Sequence, residues 1–276
     1  MNKEEIKHIT DTHYKKIKKH IKQVTKDFDV EAIHQFRVEY KKLRAFLRMM
    51  SQQKGNAGEI KISKKLKKGY NISGVIRDLQ LQQQRILEVT KEESQKPRAY
   101  ITLLQKESDR LKKELSEIFL EKPVNECKKK TDVLVPEKFP LNSFRNFILQ
   151  KWEAIYEIII SGNFNDDNIH AIRKNLKDLF YNLKIYEGIE HDIISLSIWK
   201  GKDENYIIQL LDELGKFQDK CVSIALLKSS WINSLNTSNR EQLRRIKVAW
   251  IKDKLITKKL LIEKLKTDII PQQVEP

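Results

Sequence analysis

The stretch Ala32–Met50, AIHQFRVEYKKLRAFLRMM, carries His34, Arg37, Lys41, Arg44 and Arg48 at offsets 0, +3, +7, +10 and +14. At about 100° per residue these five fall within an arc of about 80° on a helix. They form one basic stripe some 20 Å long at about 1.5 Å per residue. Ile33, Phe36, Tyr40, Leu43, Leu47 and Met50 occupy a separate face of the same helix, centred about 110° from the basic one. The segment therefore reads as a helix that packs on one side and presents cations on the neighbouring side.

A second stretch, Asn168–Glu187, NIHAIRKNLKDLFYNLKIYE, repeats both faces. Ile169, Ile172, Leu176, Leu179, Leu183 and Tyr186 hold the same six apolar offsets from His170. Its stripe reads His170, Arg173, Lys177, Phe180 and Lys184, with an aromatic residue in the fourth rung. Each stripe is followed by a glycine and, four positions later, an aspartate: Gly74 and Asp78, then Gly215 and Asp219. A glycine inside a helix costs about 1 kcal/mol against alanine. Close approach of another helix, or a break between two helices, would account for it. Arg77 beside Asp78 either anchors a helix end, orients a ladder cation, or forms a surface ion pair of little energetic value.

The rest of the chain keeps helical periodicity. Residues 1–96 and 141–270 lack proline and show apolar residues at i, i+3, i+4 and i+7 rather than strand alternation. The expected fold class is all-α. Asp29 is placed to cap the first ladder helix, and Asp166 or Asp167 the second. Ser238 to Glu241 fits a capping box that opens a long last helix. Pro97 stands where a first helical turn accepts proline. Three of the six prolines fall between Lys122 and Leu141. That segment is expected to link a first helical repeat, about 1–121, to a second, about 142–270, within one domain spanning 1–276.

Composition narrows the partners. The 276 residues contain 54 Lys+Arg against 38 Asp+Glu, a formal net charge of +16. Such a surplus repels itself unless something anionic is bound. Nucleic acid, a membrane surface or another polyanion qualifies. Cys127 and Cys221 are the two cysteines and form no C-x-x-C pair, so neither a disulfide framework nor a zinc cluster is read. No leader-like or membrane-spanning apolar run is found, so the expected location is cytoplasmic, without membrane insertion.

Signatures of catalysis are missing. There is no G-x-x-x-x-G-K-[ST] loop and no H-E-x-x-H. No carboxylate cluster has metal-ligand spacing, so no metal, cofactor or catalytic residue is assigned. His13 and His20 lie two turns apart on one N-terminal helix with His8, but a metal site there lacks further ligands. His191 has no neighbours in sequence that suggest a role.

Together the two blocks resemble the CHAD domain family (conserved histidine α-helical domain). His34, Arg37, Lys41, Lys42, Leu43, Arg44, Leu47 and Arg48 match its first motif, and Gly74, Arg77 and Asp78 its second. His170, Arg173, Lys177, Leu179 and Tyr181, then Gly215, Gln218 and Asp219, match the weaker second copy. The resemblance implies two pseudo-symmetric helical bundles lining a basic central groove. It implies non-catalytic binding of long-chain inorganic polyphosphate and association with polyphosphate granules. The site residues it implies are His34, Arg37, Lys41, Arg44, Arg48, Arg77, His170, Arg173, Lys177 and Lys184. Asp178 and Phe180 depart from the pattern, where the family favours cations. The E-x-E-x-K signature of the CYTH triphosphatase domain, often fused to CHAD domains, is absent.

A flexible chain of phosphates suits a straight ladder of cations without any base readout. Arginine grips phosphate oxygens bidentately and lysine acts as a point charge. The segment KISKKLKKGYN, Lys61–Asn71, adds further lysines, most of them expected on a solvated helix face. The alternative is a nucleic-acid-binding helical protein using the same surface. It lacks a helix-turn-helix, RRM or KH signature, and the ladder lacks interleaved aromatics for base stacking. A phosphoanhydride-cleaving enzyme and an anion-indifferent scaffold complete the alternatives.

Overall fold

The computed structural model describes residues 1–52, 60–187 and 204–269. Among them lie ten helices and no strand. These are α1 (Lys3–Asp27), α2 (Val30–Ser51), α3 (Lys64–Val89), α4 (Arg98–Leu120), α5 (Pro123–Leu134), α6 (Leu141–Ser161), α7 (Asp166–Glu187), α8 (Glu204–Leu226), α9 (Ser229–Asn233) and α10 (Thr237–Ile269). The chain divides into two compact units. One gathers Met1–Phe139 with Val222–Ala249, the other Pro140–Cys221 with Trp250–Pro276.

In the first unit, α2 packs between α1 and α3, and α4 covers α3. All six apolar positions predicted on α2 are buried. Burial extends further than the pattern implies: Ala45, Phe46 and Met49 are also enclosed. From Leu43 to Met50 every side chain is buried except Arg44 and Arg48. Phe36 meets Phe119 of α4 edge-on, with ring centroids 5.4 Å apart.

Asp29 caps α2 as expected, its carboxylate accepting from the N–H groups of Glu31 and Ala32. The other two predicted caps shift by one or two residues. Asn165 accepts from the N–H of Asn168 and caps α7, leaving Asp166 and Asp167 inside the first turn. There they complement the helix dipole, and Asp166 also takes Lys254 and Lys258 of α10 at 2.8 and 2.7 Å. Asn236 caps α10, and Ser238 instead donates to Gln95.

The segment read as a linker, 122–141, folds over most of its length. Its prolines mark helix ends: Pro123 opens α5 and Pro140 precedes α6. Proline at the first helical position loses only an N–H that would have no partner there. Helix α5 docks on α1, where the Tyr14 hydroxyl lies 2.7 Å from Thr131 Oγ1 and 3.2 Å from Cys127 Sγ. The Ser63 N–H donates to the same sulfur, tying α5 to the start of α3. Residues 222–249, expected in the second repeat, pack in the first unit. There Arg85 donates to Ser223 Oγ, and the Tyr100 hydroxyl donates to the Leu226 carbonyl.

In the second unit α6 packs along α7, and Phe144 stacks on Tyr186 with centroids 3.8 Å apart. All six apolar positions predicted on α7 are buried.

A buried hydrogen bond joins α1 to α2. Glu39 accepts from His13 Nδ1 at 3.0 Å and from Lys42 Nζ at 3.1 Å. Burial raises the pKa of this carboxyl, but the bonds from His13 and Lys42 outweigh it and hold it at about 2, below its ordinary 4.5. A carboxylate depressed in the folded state stabilises fully above its unfolded pKa, and that contribution disappears as the pH falls through the folded one. Glu39→Gln should therefore cost on the order of 2–3 kcal/mol at neutral pH. The difference from wild type should shrink between pH 4.5 and 2. Urea unfolding of both proteins across that range checks this, and a pH-independent difference would refute the assignment.

Candidate functional site

The first ladder does not project uniformly. His34, Arg37, Lys41, Arg44 and Arg48 are all half-buried along α2. Arg37 turns toward α3, where its Nη1 donates to the Tyr70 carbonyl at 2.6 Å. Its guanidinium sits 4.3 Å from the centroid of the Tyr70 ring. Tyr70 in turn stacks on Tyr40 of α2, centroids 4.1 Å apart and planes within 14°. The glycine predicted to permit close approach does so here, for a side chain rather than a backbone. A Cβ on Gly74 would lie 2.3 Å from Arg37 Nη1.

Burial lowers the Arg37 pKa, and the neighbouring cations Arg77 and Arg44 add to that. The ring of Tyr70 and the carboxylate of Asp78 act the other way. Asp78 thus favours the charged form of Arg37. Arg44 and Arg77 each bury Nε with no hydrogen-bond partner among the described residues.

Beyond Arg37 the ladder opens onto a cavity of about 790 Å³. Arg44 and Arg48 border it from α2, Lys61, Lys64, Lys65 and Lys67 from the start of α3, and Lys130 from α5. Among the described residues, Glu126 is the single carboxylate in the lining. Lys61, Lys64 and Lys67 have no ion-pair partner among the described residues. Lys65 pairs with Glu121 and Lys130 with Glu126, all of them exposed. Low-value surface pairs of this kind open at little cost. The Cys127 contacts described above set this geometry, since they fix both α5 and Ser63, the cap of α3.

Sequence reasoning found Arg44 and Arg48 and expected most of the Lys61–Asn71 lysines on a solvated face; Lys61, Lys64, Lys65 and Lys67 are exposed, and they also border the cavity. Periodicity identifies the face a lysine occupies on its own helix, not the cavity it reaches. Lys130 carried no signal, because its segment was read as a linker.

The second ladder is spent largely on internal contacts. Gly215 stands in the same relation to Arg173, whose Nη2 lies 3.1 Å from a built Cβ. Lys184 pairs with Glu204 at 2.5 Å and lies over the Phe180 ring. Asp178, one of the two departures from the expected pattern, is buried and faces Lys151 of α6 at 3.7 Å. A cation at that position would confront Lys151 instead. His170 and Lys177 are half-buried on α7.

Tyr40 and Tyr70 are the aromatics of the first ladder, and both are buried against arginines and each other. They offer no open face to a base. Among the described residues no three His, Cys, Asp or Glu side chains are grouped to hold a metal ion. No described helix is long and apolar enough to cross a membrane. His191 lies outside the described residues.

Comparison with known proteins places these features in context. The CHAD domain family model matches residues 8–228. Among solved structures, the crystal structure of the CHAD domain from the plant Ricinus communis is similar. It has a TM-score of 0.73 and 14% sequence identity, over 97% of this chain and 92% of that one. No curated protein sequence shows a significant match.

The Arg37 clasp makes a prediction with an unusual sign. Arg37→Ala should destabilise by about 1.5–3 kcal/mol, the value of a charge-assisted hydrogen bond. Gly74→Ala alone should destabilise by about 0.5–2 kcal/mol, because loss of the clasp exceeds a helix-propensity gain of about 1 kcal/mol. Added to Arg37→Ala, the same substitution should stabilise by about 1 kcal/mol, the space being empty. Chemical denaturation of the four proteins completes the cycle. Destabilisation by Gly74→Ala in the Arg37→Ala background would show that another neighbour needs the glycine.

Proposed function

Since this chain belongs to the CHAD domain family, we propose that it binds inorganic polyphosphate without catalysing its turnover. One observation carries the reading. Arg44 and Arg48, in line with His34 and Lys41 on α2, are the only side chains left unburied between Leu43 and Met50. A buried guanidinium nitrogen without a partner is costly, and a phosphate oxygen supplies the missing acceptor.

An internal phosphate carries about one negative charge and no feature distinguishing it from its neighbours. Affinity then comes from the number of cations in reach and their spacing along a rigid helix. In the first unit His34, Lys41, Arg44 and Arg48 form the contact line, and Arg37 and Arg77 set its geometry. His170, Arg173, Lys177 and Lys184 are the corresponding ligand residues of the second unit. Their share is smaller because Phe180 replaces a cation and Lys184 is paired. The two Arg–Gly contacts support reading α2–α3 and α7–α8 as copies of one duplicated unit. We place the protein in the cytoplasm and at polyphosphate granules, where its ligand would be concentrated.

Replacing Arg44 and Arg48 together by alanine should weaken long-chain polyphosphate binding by at least about 100-fold at low salt, at unchanged helicity. The slope of log K against log[salt] should fall by about 1–2, from lost counterion release. Isothermal titration across a salt series measures both. RNA or DNA supplied at equal phosphate concentration should compete poorly, because the stacking faces of Tyr40 and Tyr70 are closed. An unchanged affinity in the double variant would remove the assigned site. Efficient displacement by nucleic acid would favour that ligand instead.

A further inference from the structure

We infer that the cavity beside the first ladder is a separate binding site, one that takes a compact cluster of phosphate groups rather than the extended run of a chain. The inference deepens the polyphosphate reading, since Arg44 and Arg48 would serve both ligands.

The argument rests on how the cations are arranged. A ladder on one helix presents charge along a line, which fits an extended polyanion. The cavity is different. Its cations come from three segments, α2, residues 61–67 and α5, and border one half-open cavity of about 790 Å³. That volume falls in the range of small-molecule sites, about 300–1,000 Å³. Low-dielectric walls focus such a field, and buried Tyr40 and Ile60 supply part of the wall. Lys68, on the same helix but outside the cavity, pairs with Glu114 at 2.8 Å. Lys61, Lys64 and Lys67 face the cavity with no carboxylate to neutralise them among the described residues. Among the described residues, seven cations against one carboxylate in the lining favour the ligand with the most charge in the least space.

Terminal phosphates carry nearly two charges each at neutral pH, against about one for internal phosphates. The fitting chemistry is therefore several terminal-type phosphates held close together. A small ring bearing many phosphates, or a short oligophosphate, supplies this directly. The end of a long chain supplies it in part.

The test uses the full chain, with inositol hexakisphosphate, tripolyphosphate, long-chain polyphosphate and the same long chain with chemically blocked ends as probes. The variant replaces Lys61, Lys64, Lys67 and Lys130 by alanine. All four are exposed, and circular dichroism verifies the fold. Hexakisphosphate should bind wild type with one-to-one stoichiometry and lose at least about ten-fold in affinity in the variant. Long-chain polyphosphate, held by the ladder, should lose less than about three-fold. Weaker binding of the end-blocked chain would identify chain ends as occupants, whereas equal binding would assign the cavity to small ligands. Hexakisphosphate and tripolyphosphate binding equally to wild type and variant, or failing to bind wild type at all, would overturn the inference. The two readings fail separately. A chain that does not bind beside a hexakisphosphate that does would remove the polyphosphate reading and leave the cavity site standing.

Discussion

A guanidinium needs both room and a carbonyl, and the first unit is arranged around meeting that need once. Arg37 crosses from α2 to α3 because Gly74 has no side chain to stop it and because the Tyr70 carbonyl accepts its hydrogen bond. The crossing sets the separation of the two helices. Tyr70 then lies against Tyr40, and Arg44 projects past that aromatic pair toward the cavity. A larger residue at Gly74 would spare helix propensity and lose this arrangement, which explains why a residue disfavoured in helices stands in the middle of one.

The cost of gathering cations is managed by position. On the far side of α2, Lys42 is neutralised by Glu39. Along α3, Lys68 is neutralised by Glu114. In the second unit Lys151, Lys184, Lys254 and Lys258 all meet carboxylates. Around the cavity in the first unit, Lys61, Lys64 and Lys67 have no such partner among the described residues. A surplus of +16 over the whole chain is therefore not spread evenly, and its local concentration is what distinguishes a ligand site from a merely basic surface.

Much of this was legible in the residues. The six-position apolar pattern on α2 and α7 follows from helical geometry and survives intact, because a period of 3.6 residues leaves few other ways to bury those side chains. Asp29 was readable as a cap for the same local reason. Properties that depend on a partner helix were not readable. Arg37 and Lys41 occupy equivalent rungs, yet Arg37 bonds across α3 where a glycine admits it, a fact held in Gly74 thirty-seven positions away. Asn165 and Asn236 displaced the predicted caps because several neighbouring residues could cap equally well. Helix α5 was hidden by its flanking prolines, which mark the ends of a helix as readily as its absence. Lys130 was hidden with it.

The crowded lysines also bear on the empty protein. Like charges held close together oppose the compact state, so the first unit without an anion folds against its own electrostatic repulsion. A ligand that binds only the folded form adds stability in proportion to the logarithm of its concentration. The folded population, and with it resistance to proteolysis, is thereby tied to anion supply. Under the proposed polyanion binding, scarcity of the ligand would let the same cations shorten the lifetime of the protein that carries them.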